Sequence, residues 1–262
     1  GKGFIHVSEI DCAVETDRPL LEYTSSGKQE EREVTIGKHV ADLIEDGSTL
    51  QIGIGAIPDA VLSYLVKKKD LRFYGMGIDR FVDLVEAGAV EQTNMPSIVV
   101  TEILGTKRVF QFVHDNPMVE GRALPETINS RVAGQIANFC SLLSAIEIDL
   151  TGQVNSETVR GSQISAIGGS FDFLQGALFS EGGKSIIAMT STTPDDQFSR
   201  IVPQLPLGSA VTIPRHSVDY IVTEYGVARI QGKSLRERAC MLVDIAHPKF
   251  RDALRADMNA LY

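Results

Sequence analysis

Apolar residues along this chain switch repeatedly between helical and strand spacing. Between 30 and 44, Ile36, Val40, Leu43 and Ile44 recur three or four apart behind an acidic start, which predicts a helix that Asp46-Gly47 ends. Thr49-Leu50-Gln51-Ile52 reads as a short strand running into Gly53-Ile54-Gly55-Ala56-Ile57-Pro58. A helix is expected over 58–68, with Pro58 at its first position. A strand over 71–74, a helix over 81–87 and a strand over 97–101 follow. Residues 114–130 are rich in Asn, Pro and polar side chains and read as a long loop, and 131–137 as a short helix. Apolar runs at 142–150, 185–189 and 218–222 read as strands, and 235–245 and 250–261 as helices broken at His247-Pro248. This alternation predicts an open α/β sheet rather than a sandwich or a bundle. Residues 1–28 hold only a short β-like piece, Phe4-Ile5-His6-Val7, and end in Ser25-Ser26-Gly27-Lys28. They read as a lead-in or connector to a domain over 29–262.

Composition changes this picture little. The chain has 262 residues, 43% hydrophobic and 23% charged, ordinary for a globular domain with a sizeable core. Its formal net charge of −9 argues against sequence-independent nucleic-acid binding, which needs a basic surface. No run of about 18 apolar residues predicts a membrane span. Gly1–His6 lacks a signal-peptide core, and Cys12, Cys140 and Cys240 are widely spaced, so a cytoplasmic protein with reduced thiols is expected. His6, His39, His114, His216 and His247 are scattered, with no zinc-ligand spacing, so no metal is expected.

Four segments could carry chemistry. The Gly53-Ile54-Gly55 turn, between a strand and a helix, can present backbone N–H groups to an anion, or can be a plain tight connection. In Ser165-Ala166-Ile167-Gly168-Gly169-Ser170, the Gly-Gly pair can offer an N–H to a thioester oxygen, or simply turn the chain. Glu147 and Asp149 would share one face of a strand, suited to acid/base work or to capping turns. Glu224 precedes Tyr225-Gly226, while Ser234 and Glu237 form a capping-box pair.

Taken together, these segments resemble the acetyl-CoA hydrolase/transferase family, especially its 4-hydroxybutyrate and butyrate:acetate CoA-transferase branch. The matching blocks are FIHVSEI (4–10), IEDGSTLQIGIGAIPDAV (44–61), SAIEIDLTGQV (144–154), GGSFDFLQGA (168–177), GGKSIIA (182–188), SRIVP (199–203) and the stretches 220–229, 232–242 and 245–251. The resemblance implies an open, mostly parallel sheet flanked by helices, the CoA-transferase-like (NagB/RpiA-like) half. It implies coenzyme A or acyl-CoA as substrate, contacted by Gly53, Ile54, Gly55, Ala56, Ile57, Ser165 and Gly168. Gly169 would supply the oxyanion N–H.

The family's nucleophile is a glutamate in an H-T-E-M-like stretch between a K-D-L block and a D-G-V-V-D-L block. Here the stretch reads Phe73-Tyr74-Gly75-Met76-Gly77-Ile78, and Gly75 or Met76 falls where the glutamate is expected. A CoA-contacting lysine of relatives also has no counterpart in Thr193-Pro194-Asp195-Asp196-Gln197-Phe198, and Leu143 stands where relatives often have Asn. The resemblance reaches only the C-terminal part of family members, whose active site lies between two halves. The expectation is therefore a CoA-transferase-related protein acting on acyl thioesters by altered chemistry (hydrolysis, acyl transfer or decarboxylation), with a separate chain supplying the other half. A non-catalytic subunit, a processed piece, and a conventional transferase with a relocated nucleophile, Glu147 first, are the alternatives.

Overall fold

A computed structural model describes residues 4–24 and 29–262. After an irregular lead-in, α1 (Glu31–Leu43) opens on Glu30, whose amide donates to the Glu33 carboxylate at 2.6 Å. β1 (Thr49–Ile52) passes through the Gly53–Gly55 turn into α2 (Ala56–Tyr64). β2 (Arg72–Ile78), α3 (Asp79–Glu86), β3 (Ile98–Leu104) and α4 (Lys107–Val113) complete the next units. The edge strand β4 (Val119–Gly121) precedes two single turns, α5 (Leu124–Thr127) and α6 (Ser130–Ala133). β5 (Phe139–Leu143) returns to the centre of the sheet.

Four short strands follow: β6 (Glu147–Asp149), β7 (Val154–Asn155), β8 (Thr158–Val159) and β9 (Ser162–Gln163). Then come α7 (Ser170–Phe179), β10 (Lys184–Ala188), β11 (Ile201–Val202), the hairpin of β12 (Tyr220–Thr223) and β13 (Gly226–Arg229), α8 (Leu235–Asp244) and α9 (Pro248–Leu261).

Eight strands form one sheet in the order β13-β12-β10-β5-β1-β2-β3-β4, parallel except for β13. Strand side chains alternate between its two faces. Leu50, Ile52, Phe73, Val100 and Leu142 pack on α1, α2 and α3 through Ile36, Val40, Val61 and Phe81. Tyr74, Val99 and Phe139 meet α6 and α7 through Ala133 and Phe173, while Ile187 and Ile221 join the α8–α9 layer. Both faces are covered, as a parallel sheet requires. Phe73 and Phe81 stack at 3.8 Å between centroids; burying one such ring contributes about 1.5–3 kcal/mol. Among the described residues no helix is long and apolar enough to cross a membrane.

The open α/β sheet expected from the alternation is present, with local departures. Phe4–Val7 forms no strand: its residues are exposed and pair with no strand, and Val7–Glu9 is one 3₁₀ turn. Ser25–Lys28, the expected end of the connector, lies outside the described residues. Pro58 is the third helical residue, tolerated because the first four helical amides have no intrahelical acceptor. The strand expected over 71–74 continues to Ile78, because β3 pairs along its whole length. Part of the 114–130 loop becomes β4 and α5. The 142–150 run divides: β5 ends at Leu143, and β6 instead joins β7 and β11 in a separate three-stranded sheet. Helix α7 has no counterpart in the sequence reading, because a Gly-Gly pair at its start obscured it.

Gly37 sets how closely α1 lies on α2. A Cβ there would sit 2.6 Å from the Ala60 Cβ and 2.8 Å from backbone. Gly37→Ala is expected to lower stability by about 1–3 kcal/mol through overpacking, read as a shift of the urea unfolding midpoint.

Candidate active site

From β1 the sheet grows outward through β2, β3 and β4 on one side and through β5, β10 and β12 on the other. The order therefore reverses between β1 and β5. In open α/β sheets the crevice at the carboxyl ends beside such a reversal is where ligands bind. The Gly53–Gly55 turn stands on this crevice. Gly55, at φ +125°, is the cap residue of α2, and its backbone conformation suits glycine. The first amides of α2 have no helical acceptors and are oriented for an anionic group. Below the turn, the Ser141 hydroxyl donates to Gln51 Oε1 at 2.7 Å, tying β1 to β5.

A cavity of about 340 Å³ opens at the carboxyl ends of β1, β2 and β3, with Ile54, Gly55, Ile78, Leu104 and Arg108 in its wall. Its rim is fixed by Asp79, which accepts hydrogen bonds from Thr106 N at 2.8 Å and Val109 N at 3.1 Å and so joins α3 to α4. Arg108 is paired with Asp83 and Glu86, and the Asp83 bond holds its guanidinium above its ordinary pKa. The lead-in reaches the same rim through Tyr23 N to Gly105 O, 2.9 Å.

Gly75 lies in β2 at φ +103°. A Cβ there would sit 3.3 Å from Phe173 Cζ and 3.5 Å from Gln51 Cγ. Gly169 caps α7, and a Cβ on it would overlap Phe173 Cε2 at 2.7 Å. The two glycines, distant in sequence, thus meet the same ring, which is only 7% exposed. Tyr74 stands edge-on to Phe173, and burial pushes its phenol pKa up. Met76 is partly buried against the sheet core. Gly168, at φ +55°, is exposed beside Gly169. The Ser165 hydroxyl donates to Ser156 O at 3.0 Å.

Most acids near these strand ends are occupied. Glu147 accepts from Asn155 Nδ2 at 2.9 Å and Ser209 Oγ at 3.0 Å, which holds it within the small sheet. Asp149 is taken up by the 149–153 turn, including Thr151 N at 2.9 Å. Glu224 accepts from both the amide and the hydroxyl of Ser191, at 2.9 and 2.7 Å. Asp195 is bonded by the Thr193 hydroxyl, which lowers its pKa, while Asp196 meets Arg32 at 3.4 Å. Lys249 donates to Asp196 O at 3.1 Å, so α9 brings a cation to a loop that is acidic in sequence. Burial lowers the Arg200 pKa, and burial together with Glu224 and Asp196 raises that of Tyr225. Among the described residues no group of three His, Cys, Asp or Glu could hold a metal.

Sequence reasoning passed over Glu102. It is exposed on β3 and pairs with Met76, just past a register shift in which Gly75 pairs with Val100 and leaves Thr101 unpaired. Thr101 hydrogen-bonds Thr127 of α5 instead. The available signal was an acid inside Ile98-Val99-Val100-Thr101-Glu102-Ile103-Leu104, a run that is apolar apart from Thr101.

The family model for the acetyl-CoA hydrolase/transferase C-terminal domain matches residues 105–258. The 4-hydroxybutyrate coenzyme A transferase of Clostridium kluyveri is 49% identical over 259 residues, covering 97% of this chain and 60% of that protein. The crystal structure of RipA from Yersinia pestis superposes with a TM-score of 0.88 at 35% identity, over 98% of this chain and 59% of that one. The 4-hydroxybutyrate CoA-transferase structure from Porphyromonas gingivalis gives 0.83 at 38% identity, over 98% and 62%. The chain spans about three fifths of the length of these relatives.

Placing a carboxylate at position 75 works against this geometry. Gly75→Glu is expected to cost about 1–3 kcal/mol of stability from the positive φ, before any displacement of Phe173, as measured by urea unfolding.

Proposed function

The chain belongs to the acetyl-CoA hydrolase/transferase family, and we propose that it acts on acyl-CoA thioesters by chemistry that uses no glutamate at position 75. The observation that carries this reading is Gly75: a glycine at φ +103°, packed against Phe173, stands at one of the two positions, Gly75 or Met76, where the family resemblance expects the nucleophile. Formation of a glutamyl-CoA thioester at that position is chemically impossible without a side chain. The reactions left to the site are hydrolysis, acyl transfer to another nucleophile, or decarboxylation of the acyl group.

In this reading the amides of Gly53, Ile54, Gly55, Ala56 and Ile57, with Gly168 and Ser165, contact CoA. The Gly169 N–H receives the oxygen of the thioester carbonyl as charge develops on it. One donor of this kind is worth about 2.7–4 kcal/mol in the transition state. The acyl-binding wall is completed by a second α/β half on a separate chain, a reading supported by the extra length of the relatives.

The test is to incubate the protein with acetyl-, butyryl- and 4-hydroxybutyryl-CoA, following thiol release and the intact protein mass. Release of CoA thiol with no CoA adduct on the protein is expected. A covalent CoA adduct would defeat the altered-chemistry reading. Binding of acyl-CoA without turnover would instead favour a non-catalytic subunit.

A further inference from the structure

Glu102 stands apart from the other acids at this end of the sheet. Its carboxylate has no hydrogen bond or ion pair within the described residues, whereas Glu224, Asp79, Asp83, Asp196 and Glu147 are all engaged. Its strand neighbours Val100 and Ile103 belong to the apolar core, so strand burial does not call for an acid between them. The register shift at Gly75/Met76 sets Glu102 opposite Met76. Adjacent strands lie about 4.8 Å apart, so this carboxylate is offset by one strand spacing from the segment where the family nucleophile is expected. Glu102 is exposed, so water reaches its carboxylate, while the Phe173 ring packs against the side-chain-free Gly75. Gly169 meets the same Phe173 ring as Gly75.

We propose that Glu102 is a catalytic residue of this site, the general base for hydrolysis of a bound acyl-CoA thioester. The proposal rests on the reading that this crevice processes acyl-CoA. A carboxylate oxygen of Glu102 takes a proton from water as the water oxygen forms a bond to the thioester carbonyl carbon. The carbonyl electron pair moves to oxygen, where the Gly169 N–H stabilises it. Collapse of this intermediate breaks the C–S bond, and the sulfur leaves with the electron pair. The proton held by Glu102 then passes to the thiolate. The products are the free acid and CoA thiol, with Glu102 again ionised and no other reactant consumed.

Glu102→Gln keeps the side-chain shape at an exposed position and tests the base directly in the full-length protein. Loss of a general base predicts a fall in kcat of about 10²–10⁴-fold, with KM and the thermal midpoint nearly unchanged and partial activity in Glu102→Asp. Turnover in heavy-oxygen water is expected to place the label in the product acid and none in the protein. A Glu102→Gln protein with wild-type kcat overturns the proposal while leaving the acyl-CoA reading standing. Label or a CoA adduct on the peptide containing Glu102 also overturns it, since the carboxylate would then be a nucleophile. Wild-type protein that binds acyl-CoA but hydrolyses none of the thioesters overturns the proposal alone, and protein that neither binds nor turns them over overturns both.

Discussion

The parallel pairing of β1 with β5 joins segments ninety residues apart, and the geometry of the candidate site follows from it. With β5 inserted beside β1, the strand order reverses at that point and the helices following the two strands cannot both cover the carboxyl ends. A crevice opens there, and the Gly53–Gly55 turn at the start of α2 faces it. Gln51 and Ser141 bond across the pair immediately below, so the floor of the crevice is held by a buried polar contact as well as by the ladder. The close approach of α1 and α2 at Gly37 fixes α2, and with it the turn, against the sheet.

The second constraint is one aromatic ring. Phe173 comes from α7 and fills the space against Gly75 of β2 and Gly169 at its own helix start. Either glycine could not carry a side chain without moving that ring. The absence of a side chain at position 75 is thus built into the packing around Phe173. On the adjacent strand an extra residue, Thr101, is drawn to α5, and the shift brings Glu102 level with Met76. The chemistry proposed for this protein depends on that offset.

Much of this was legible in the sequence. Helical spacing around Ile36 and Val40, the strand Thr49–Ile52 and the helix–strand alternation gave the open sheet. The collinear blocks indicated the family, and the blocks flanking the Phe73–Ile78 stretch directed attention to Gly75 and Met76. Three departures among the strands share one cause: their conformation depends on a partner distant in sequence. β2 runs past Tyr74 because β3 is there to pair with Gly75–Ile78. β4 forms because β3 offers it an edge. β6 leaves the main sheet because β7 and β11 bond it, and those same contacts engage Glu147, whose carboxylate looked available in an alternating strand.

Local chemistry settles where turns, caps and apolar faces fall, because backbone freedom and side-chain spacing are properties of neighbouring residues. The sequence alone therefore determined the fold class, the family and the identity of the residue at position 75. Tertiary structure decided which groups meet: Gly75 and Gly169 with Phe173, Arg32 and Lys249 with the acidic loop at Asp196, and Glu102 with Met76. It also decided which carboxylates near the strand ends are already bonded and that Glu102, among the described residues, is left to solvent, because hydrogen-bond partners come from strands and helices whose proximity only the folded sheet creates.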